Sequence, residues 1–259
     1  MKALATFALA IALTAWTGSS ASGDLVGHWT FDEGAGTTAY DSTGNGHTGI
    51  IVGNPTYTAG RIGAGALQFN GTAGYVLIPY SPALALEDSN YTMVWWVNWS
   101  GGRGVEGADI QPMVCMDNQA NYDGGYDFFL NSGALGMAHN NGSGYTGGQT
   151  VYAASSEYTP AAGQWDHVAV TFDGTDRKLY VNGAQKGTYA TANGGVHNRG
   201  TDYLLFGTAD GQNGVWNFNG TLDDIRIYNS ALSGSAIATL AGVPEPSGCI
   251  LLVSAGLGF

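Results

Sequence analysis

Within the 259-residue chain, Asp41-Ser42-Thr43-Gly44-Asn45-Gly46-His47 offers the densest supply of oxygen ligands for a hard cation. Calcium takes about six to eight oxygens from carboxylates, amides and backbone carbonyls, and a short turn rich in Asp, Asn and Gly presents them close together. Asp41 stands at the first position, Asn45 at the fifth and Gly46 at the sixth, as in the first half of a helix-loop-helix calcium loop. Val52 occupies the twelfth position, where that loop carries a bidentate Glu, so a further carboxylate has to come from elsewhere in the chain. The same residues also read as an ordinary Asx turn. Ligation by the His47 ring, rather than by its carbonyl, would point to a transition metal.

Catalytic constellations are missing from the sequence pattern. Retaining glycosidases need two carboxylates about 5–5.5 Å apart, and Glu33, Glu87, Glu106, Glu157 and Glu245 form no run that would place two on one strand face. Neither a Gly-x-Ser-x-Gly elbow nor a His-Glu-x-x-His helix occurs. His28, His47, His139, His167 and His197 are scattered, and His167 reads as structural. The expectation is a protein that is not an enzyme.

Sugar recognition asks for aromatic faces flanked by amides and carboxylates. Tyr122, Tyr126, Tyr145, Tyr152 and Trp216 stand in such surroundings, and of these Trp216, Tyr145 and Tyr122 are the candidate ligand-binding residues. Trp29, Trp95, Trp96 and Trp165 fall in strand-like stretches and read as core.

The elements that must position these groups are strands. Val168, Val170 and Phe172 recur at period two, the alternation of a half-buried strand. Asp173-Gly174-Thr175-Asp176 then supplies a turn, and Asn182-Gly183 a tight hairpin turn, so three antiparallel strands follow one another. From Tyr91 to Trp99 both faces carry bulk, which suits a central sandwich strand packed inward and covered outside by loops. Leu25–Gly34, Gly65–Gly71, Gly74–Pro79, Pro112–Met116, Tyr126–Leu130, Tyr203–Gly207 and Phe218–Asn229 read as further strands, and Ser235–Leu240 as a short helical turn. No segment is long enough for the helices of a parallel α/β fold. The expected fold is all-β, an antiparallel two-sheet sandwich of about twelve to fourteen strands in jelly-roll order, with first and last strands adjacent.

Trp165-Asp166-His167-Val168-Ala169-Val170-Thr171-Phe172-Asp173-Gly174, followed by Leu179-Tyr180-Val181-Asn182-Gly183, resembles the core signature of laminin-G-like, concanavalin A-like domains of bacterial secreted proteins. The opening strand at Leu25, the Asp41 turn, the closing strand Phe218–Asn229 and Ala231-Leu232-Ser233 resemble the same family in order, over roughly residues 24 to 240. The resemblance implies a structural calcium between the opening turn and the acidic pair of the closing strand. The implied ligands are Asp41, Asn45 through its amide oxygen, His47 through its carbonyl, and only one of Asp223 and Asp224, because neighbouring strand side chains face opposite ways, with Asp223 preferred.

Charge excludes one class of partner. With 8 Lys and Arg against 20 Asp and Glu the formal charge is −12, a field that repels nucleic acid and anionic membranes. Hydrophobic residues make up 44% of the chain, enough for a full core, and the 42 glycines lie between apolar runs as turn residues. Cys115 and Cys249 are too differently placed to suggest a disulfide, and Cys115 reads as a small buried hydrophobe.

The two ends read as addresses. Met1-Lys2, an apolar run to Trp16 and small residues up to Gly23 have the order of a secretory leader, expected over 1–21. The domain then spans 22–242. Val243-Pro244-Glu245-Pro246-Ser247 and the apolar stretch after it, residues 243–259, resemble the Pro-Glu-Pro sorting tail of bacterial exopolysaccharide-associated proteins. That resemblance implies transient membrane contact through the tail and a sorting protease as partner. Only about a dozen apolar residues follow the motif, where a span needs ~20, and no basic cluster closes it, so a sequence cut short at Phe259 is the expectation. The reading that results is a secreted, cell-surface recognition module for a carbohydrate or extracellular matrix polymer. A structural matrix protein without a specific ligand and a jelly-roll glycosidase or lyase are the alternatives.

Overall fold

A computed structural model describes residues 23–72, 74–86, 90–102, 110–117, 125–139, 158–190, 202–209 and 216–242. They form fifteen strands and two short helices. The expected leader and tail lie outside the described residues.

Eight strands make one antiparallel sheet: β1 (Leu25–Trp29), β4 (Thr56–Thr58), β5 (Ala66–Asn70), β7 (Tyr91–Trp99), β11 (Trp165–Phe172), β12 (Asp176–Val181), β13 (Ala184–Ala190) and β15 (Asn219–Tyr228). Their order is β13-β12-β11-β7-β15-β5-β4, with β1 also on β15. The other sheet has seven: β2 (Thr38–Ala39), β3 (Gly49–Gly53), β6 (Gly74–Ile78), β8 (Ile110–Asp117), β9 (Tyr126–Asn131), β10 (Ala134–His139) and β14 (Tyr203–Phe206), in the order β10-β9-β8-β14-β6-β3-β2. The chain is thus the expected all-β sandwich. Its strands number one more than the expected range because β2 and β4 are too short to carry a period.

The hairpin at Asn182-Gly183 forms as the sequence dictates. Asn182 and Gly183 take φ of 51° and 78°, the left-handed pair that matches the twist of the flanking strands. Asn182 also ties the turn back to β11, accepting from the His167 N–H at 2.9 Å and donating to Asp166 Oδ1 at 2.7 Å. On β7, Tyr91, Met93, Trp95 and Val97 point into the core, while Val94 and Trp96 are buried on the outer side. Between the sheets Trp29 meets Phe206 edge-on at 5.1 Å, and Trp95 lies 5.5 Å from Phe128.

The outer face of the eight-stranded sheet is covered at both ends. Helix α2 (Gly234–Leu240) starts at Ser233, whose Oγ accepts from the Ala236 N–H, and lays Ile237 with Leu232 over Val94, Ala169 and Tyr180. At the other end the β4–β5 connection folds over Trp96, with the Arg61 guanidinium 4.8 Å above its ring. Helix α1 (Pro82–Ala85) is a single turn capped by Ser81. No helix among the described residues is long and apolar enough to cross a membrane.

Candidate functional site

The Asp41 turn is a hydrogen-bonded cradle. Asp41 Oδ1 accepts from the His28 N–H, the Thr43 N–H and the Thr43 hydroxyl, and Oδ2 accepts from the His47 N–H. Burial raises the Asp41 carboxyl, and these donors outweigh it, so the net shift is downward. Asn45 Nδ2 donates to the carbonyls of Val26 and Leu25, and the His47 carbonyl accepts from Trp29 Nε1 at 2.9 Å.

Asp223 and Asp224 sit where the edge of β15 passes from β5 to β1. The closing strand bulges between Asp223 and Arg226, and Leu222 and Ile225 both point into the core. The extra residue, with Asp224 at φ 50°, leaves both carboxylates on the outer side. The alternation expected from an unbroken strand therefore fails here. Asp224 Oδ1 meets His28 Nε2 at 2.6 Å, and Arg226 Nη2 lies 2.9 Å from Oδ2. Burial raises the Asp224 carboxyl, but the His28 hydrogen bond and the Arg226 charge pull it below its ordinary value.

Asp223 is fully buried and differently held. Its Oδ2 accepts from the backbone N–H groups of Arg61 and Ile62 at 2.7 and 2.9 Å, whereas Oδ1 has no partner. Burial raises its carboxyl to about 6 despite those two donors. Asp32 pins the rest of the same loop, taking the N–H groups of Ala64 and Gly65. Across β7, Trp96 is the register partner of both Asp223 and His167. His167 is buried with Nδ1 unpartnered, and desolvation holds its ring near 4, further influenced by Asp224 and Arg226. Sequence reading missed this Asp223–Trp96–His167 row, which only the strand register reveals.

The two halves of the implied calcium site are therefore neighbours through His28, whose N–H reaches Asp41 and whose ring reaches Asp224. Among the described residues no group of three or more His, Cys, Asp or Glu side chains converges as a metal-holding set. Asp223 Oδ1 is the buried carboxylate oxygen in this region that a cation would satisfy.

The outer face of the seven-stranded sheet is buried at its centre, at Cys115 and Leu205, and exposed toward its margins. Tyr203 and Ile50 are 41% and 56% exposed there, and half-buried Tyr75, Leu77 and Trp216 pack around Cys115, Leu205 and Ala209. The Trp216 carbonyl accepts from the Thr208 hydroxyl, which fixes the start of its segment against the end of β14. On β9, half-buried Asp127 accepts from the Cys115 thiol through Oδ1. Burial raises the Asp127 carboxyl to about 6, with the thiol hydrogen bond opposing. Of the expected ligand-binding aromatics, Trp216 lies on this face, while Tyr122 and Tyr145 fall outside the described residues.

Comparison with known proteins agrees with this architecture. Domain 4 of AbnA, a GH43 extracellular arabinanase from Geobacillus stearothermophilus solved with arabinotriose, matches with a TM-score of 0.60 at 22% identity, over 85% of this chain and 98% of that one. The binding domain of Paraclostridial Mosquitocidal Protein 1 matches at 0.62 and 18% identity, over 84% of this chain and 51% of that one. At these identities the likeness is one of fold. Pappalysin-1 of Mus musculus is 35% identical over 82 residues, 32% of this chain and 5% of that protein. Residues 70–238, most of both sheets, match the family described as the concanavalin A-like lectin/glucanases superfamily, and the chain belongs to it.

Proposed function

We propose that the protein is a secreted, non-catalytic module that binds glycans on the outer face of its seven-stranded sheet. The observation that carries this reading is the contrast between the two sheets. Helix α2 and the Arg61 loop cover one outer face, while the other presents Tyr203, Trp216 and Tyr75 with the Asp127 carboxylate. Aromatic faces pack on the apolar side of a sugar ring, and a carboxylate accepts its hydroxyls. The arabinotriose held by the arabinanase domain supports the same ligand class.

A non-catalytic role fits the state of the carboxylate pair on the closing strand. Asp223 and Asp224 are buried at 0% and 6% exposure, and Asp224 is neutralised by Arg226, so a polysaccharide has no path to them. A structural calcium near Asp223, drawing on Asp41, Asn45 and His47, also belongs to the proposal, supported by the orphaned Asp223 Oδ1. Titration of the full chain with a panel of soluble oligosaccharides, read by calorimetry, tests the reading. Trp216→Ala is expected to weaken the best ligand at least tenfold, ~1.4 kcal/mol. Unchanged affinity in that variant would move the site off this face.

A further inference from the structure

We infer that the β3–β6 margin of this face takes O-acetylated sugars in preference to bare ones, with Ile50 and Val52 as specificity-determining residues; the inference rests on the glycan-binding reading above. In the antiparallel register Ile50 pairs with Leu77 and Val52 with Tyr75. Ile51, Val76 and Ile78, their neighbours along the two strands, point into the core, so these four side chains face outward together. Ile50 is exposed and the other three are half-buried, which leaves all four within reach of a ligand. Trp216 belongs to the same cluster as Tyr75 and Leu77. The margin is therefore an accessible aliphatic patch bordered by aromatic rings.

A bare sugar ring has an apolar face that suits the flat ring of Tyr75 or Trp216. Over Ile50, Val52 and Leu77, by contrast, its hydroxyls lose water and gain no partner. An acetyl ester replaces the hydroxyl donor with a methyl group that these side chains bury. Each methyl seated is worth about fourfold in affinity, ~0.8 kcal/mol. Thr38, the register partner of Ile50 on β2, is half-buried and closes the row with a hydroxyl able to donate to the ester carbonyl. Four side chains are too few to seat a protein, whose stable interface takes about 20–30 residues a side. The patch matches a small apolar group attached to a larger, hydroxylated ligand.

The test uses arabinotriose, xylotriose and the best ligand of the oligosaccharide panel. Each is titrated into the full chain by calorimetry, once partially O-acetylated and once after mild alkali has removed the esters. Wild type is expected to bind at least one acetylated sugar about fourfold tighter than its deacetylated twin. Ile50→Thr and Val52→Thr keep the β-branch that a strand favours and put a hydroxyl where an apolar group stood. Both should bring the ratio toward one, while affinity for the deacetylated sugars stays within about twofold of wild type. Equal binding of the two forms in every pair overturns the inference, as does a preference that neither variant reduces. Binding of no form of any sugar, acetylated or bare, would instead overturn the glycan-binding reading on which it rests.

Discussion

Asp223 and His167 flank Trp96 on neighbouring strands and titrate in opposite senses, so their effects on stability cancel in mildly acid solution. Asp223 has its folded value raised from 3.8 to about 6, so the folded state holds a proton that the unfolded state has released. Its contribution is complete below 3.8 and lost as pH rises to about 6, worth about 3 kcal/mol at 1.36 kcal/mol per pH unit. His167 is lowered from 6.5 to about 4, so here the unfolded state holds the extra proton. Its contribution is complete above 6.5 and lost as pH falls to about 4, again about 3 kcal/mol. Between roughly pH 4 and 6 the two slopes oppose each other and leave little net dependence from this pair. Urea unfolding in chelator, followed by tryptophan fluorescence at half-unit pH steps, separates them. Asp223→Asn keeps an oxygen for the Arg61 and Ile62 N–H groups but cannot ionise. Relative to wild type its stability should rise by about 3 kcal/mol from pH 4 to pH 6.5. His167→Gln should show the reverse, gaining on wild type by a similar amount as pH falls from 6.5 to 4. Variants whose stability runs parallel to wild type across this range would refute the reasoning.

Gly65 is the second point of attack. A Cβ there would stand 2.2 Å from the Phe31 carbonyl oxygen, so Gly65→Ala should displace the loop that Asp32 and Asp223 pin and cost about 2–3 kcal/mol in urea unfolding. A loss below ~0.5 kcal/mol, the scatter of neutral surface changes, would show that the loop yields freely. For calcium, thermal unfolding of the full chain with the ion and with chelator is the measurement. A hundredfold excess over Kd should add about 2.7 kcal/mol, and both Asp41→Ala and Asp223→Asn should abolish the gain. No shift in wild type removes the ion from the proposal.

The fold was legible wherever chain-local physics decides it. The left-handed Asn182-Gly183 turn and the two-sided bulk of Tyr91–Trp99 both follow from residue types at fixed spacing. The pairing of β1 with β15 was legible through family resemblance, since no local pattern specifies a partner some 200 residues away. Strands β2, β3, β4 and β10 escaped: β2 and β4 have two or three residues and carry no period, β3 is a short Gly-bounded run, and Ala134–His139 is rich in small side chains. The site was less legible. Asp41, Asn45 and His47 do form one turn, yet the sequence could not say that Asn45 spends its amide on two carbonyls. The bulge that turns Asp223 and Asp224 to the same side depends on the β7 register, and alternation alone gave the opposite answer. The cover over the eight-stranded sheet is an emergent property too, since it depends on where α2 and the Arg61 loop come to rest.

The antiparallel pairing of Leu25 with Tyr228 has a mechanical consequence. The first described strand enters and the last one leaves at the same end of one hydrogen-bonded ladder. Tension applied between them peels that ladder open rung by rung, because no geometry here lets the rungs share the load in shear. A domain so tethered on both sides is loaded first at this seam.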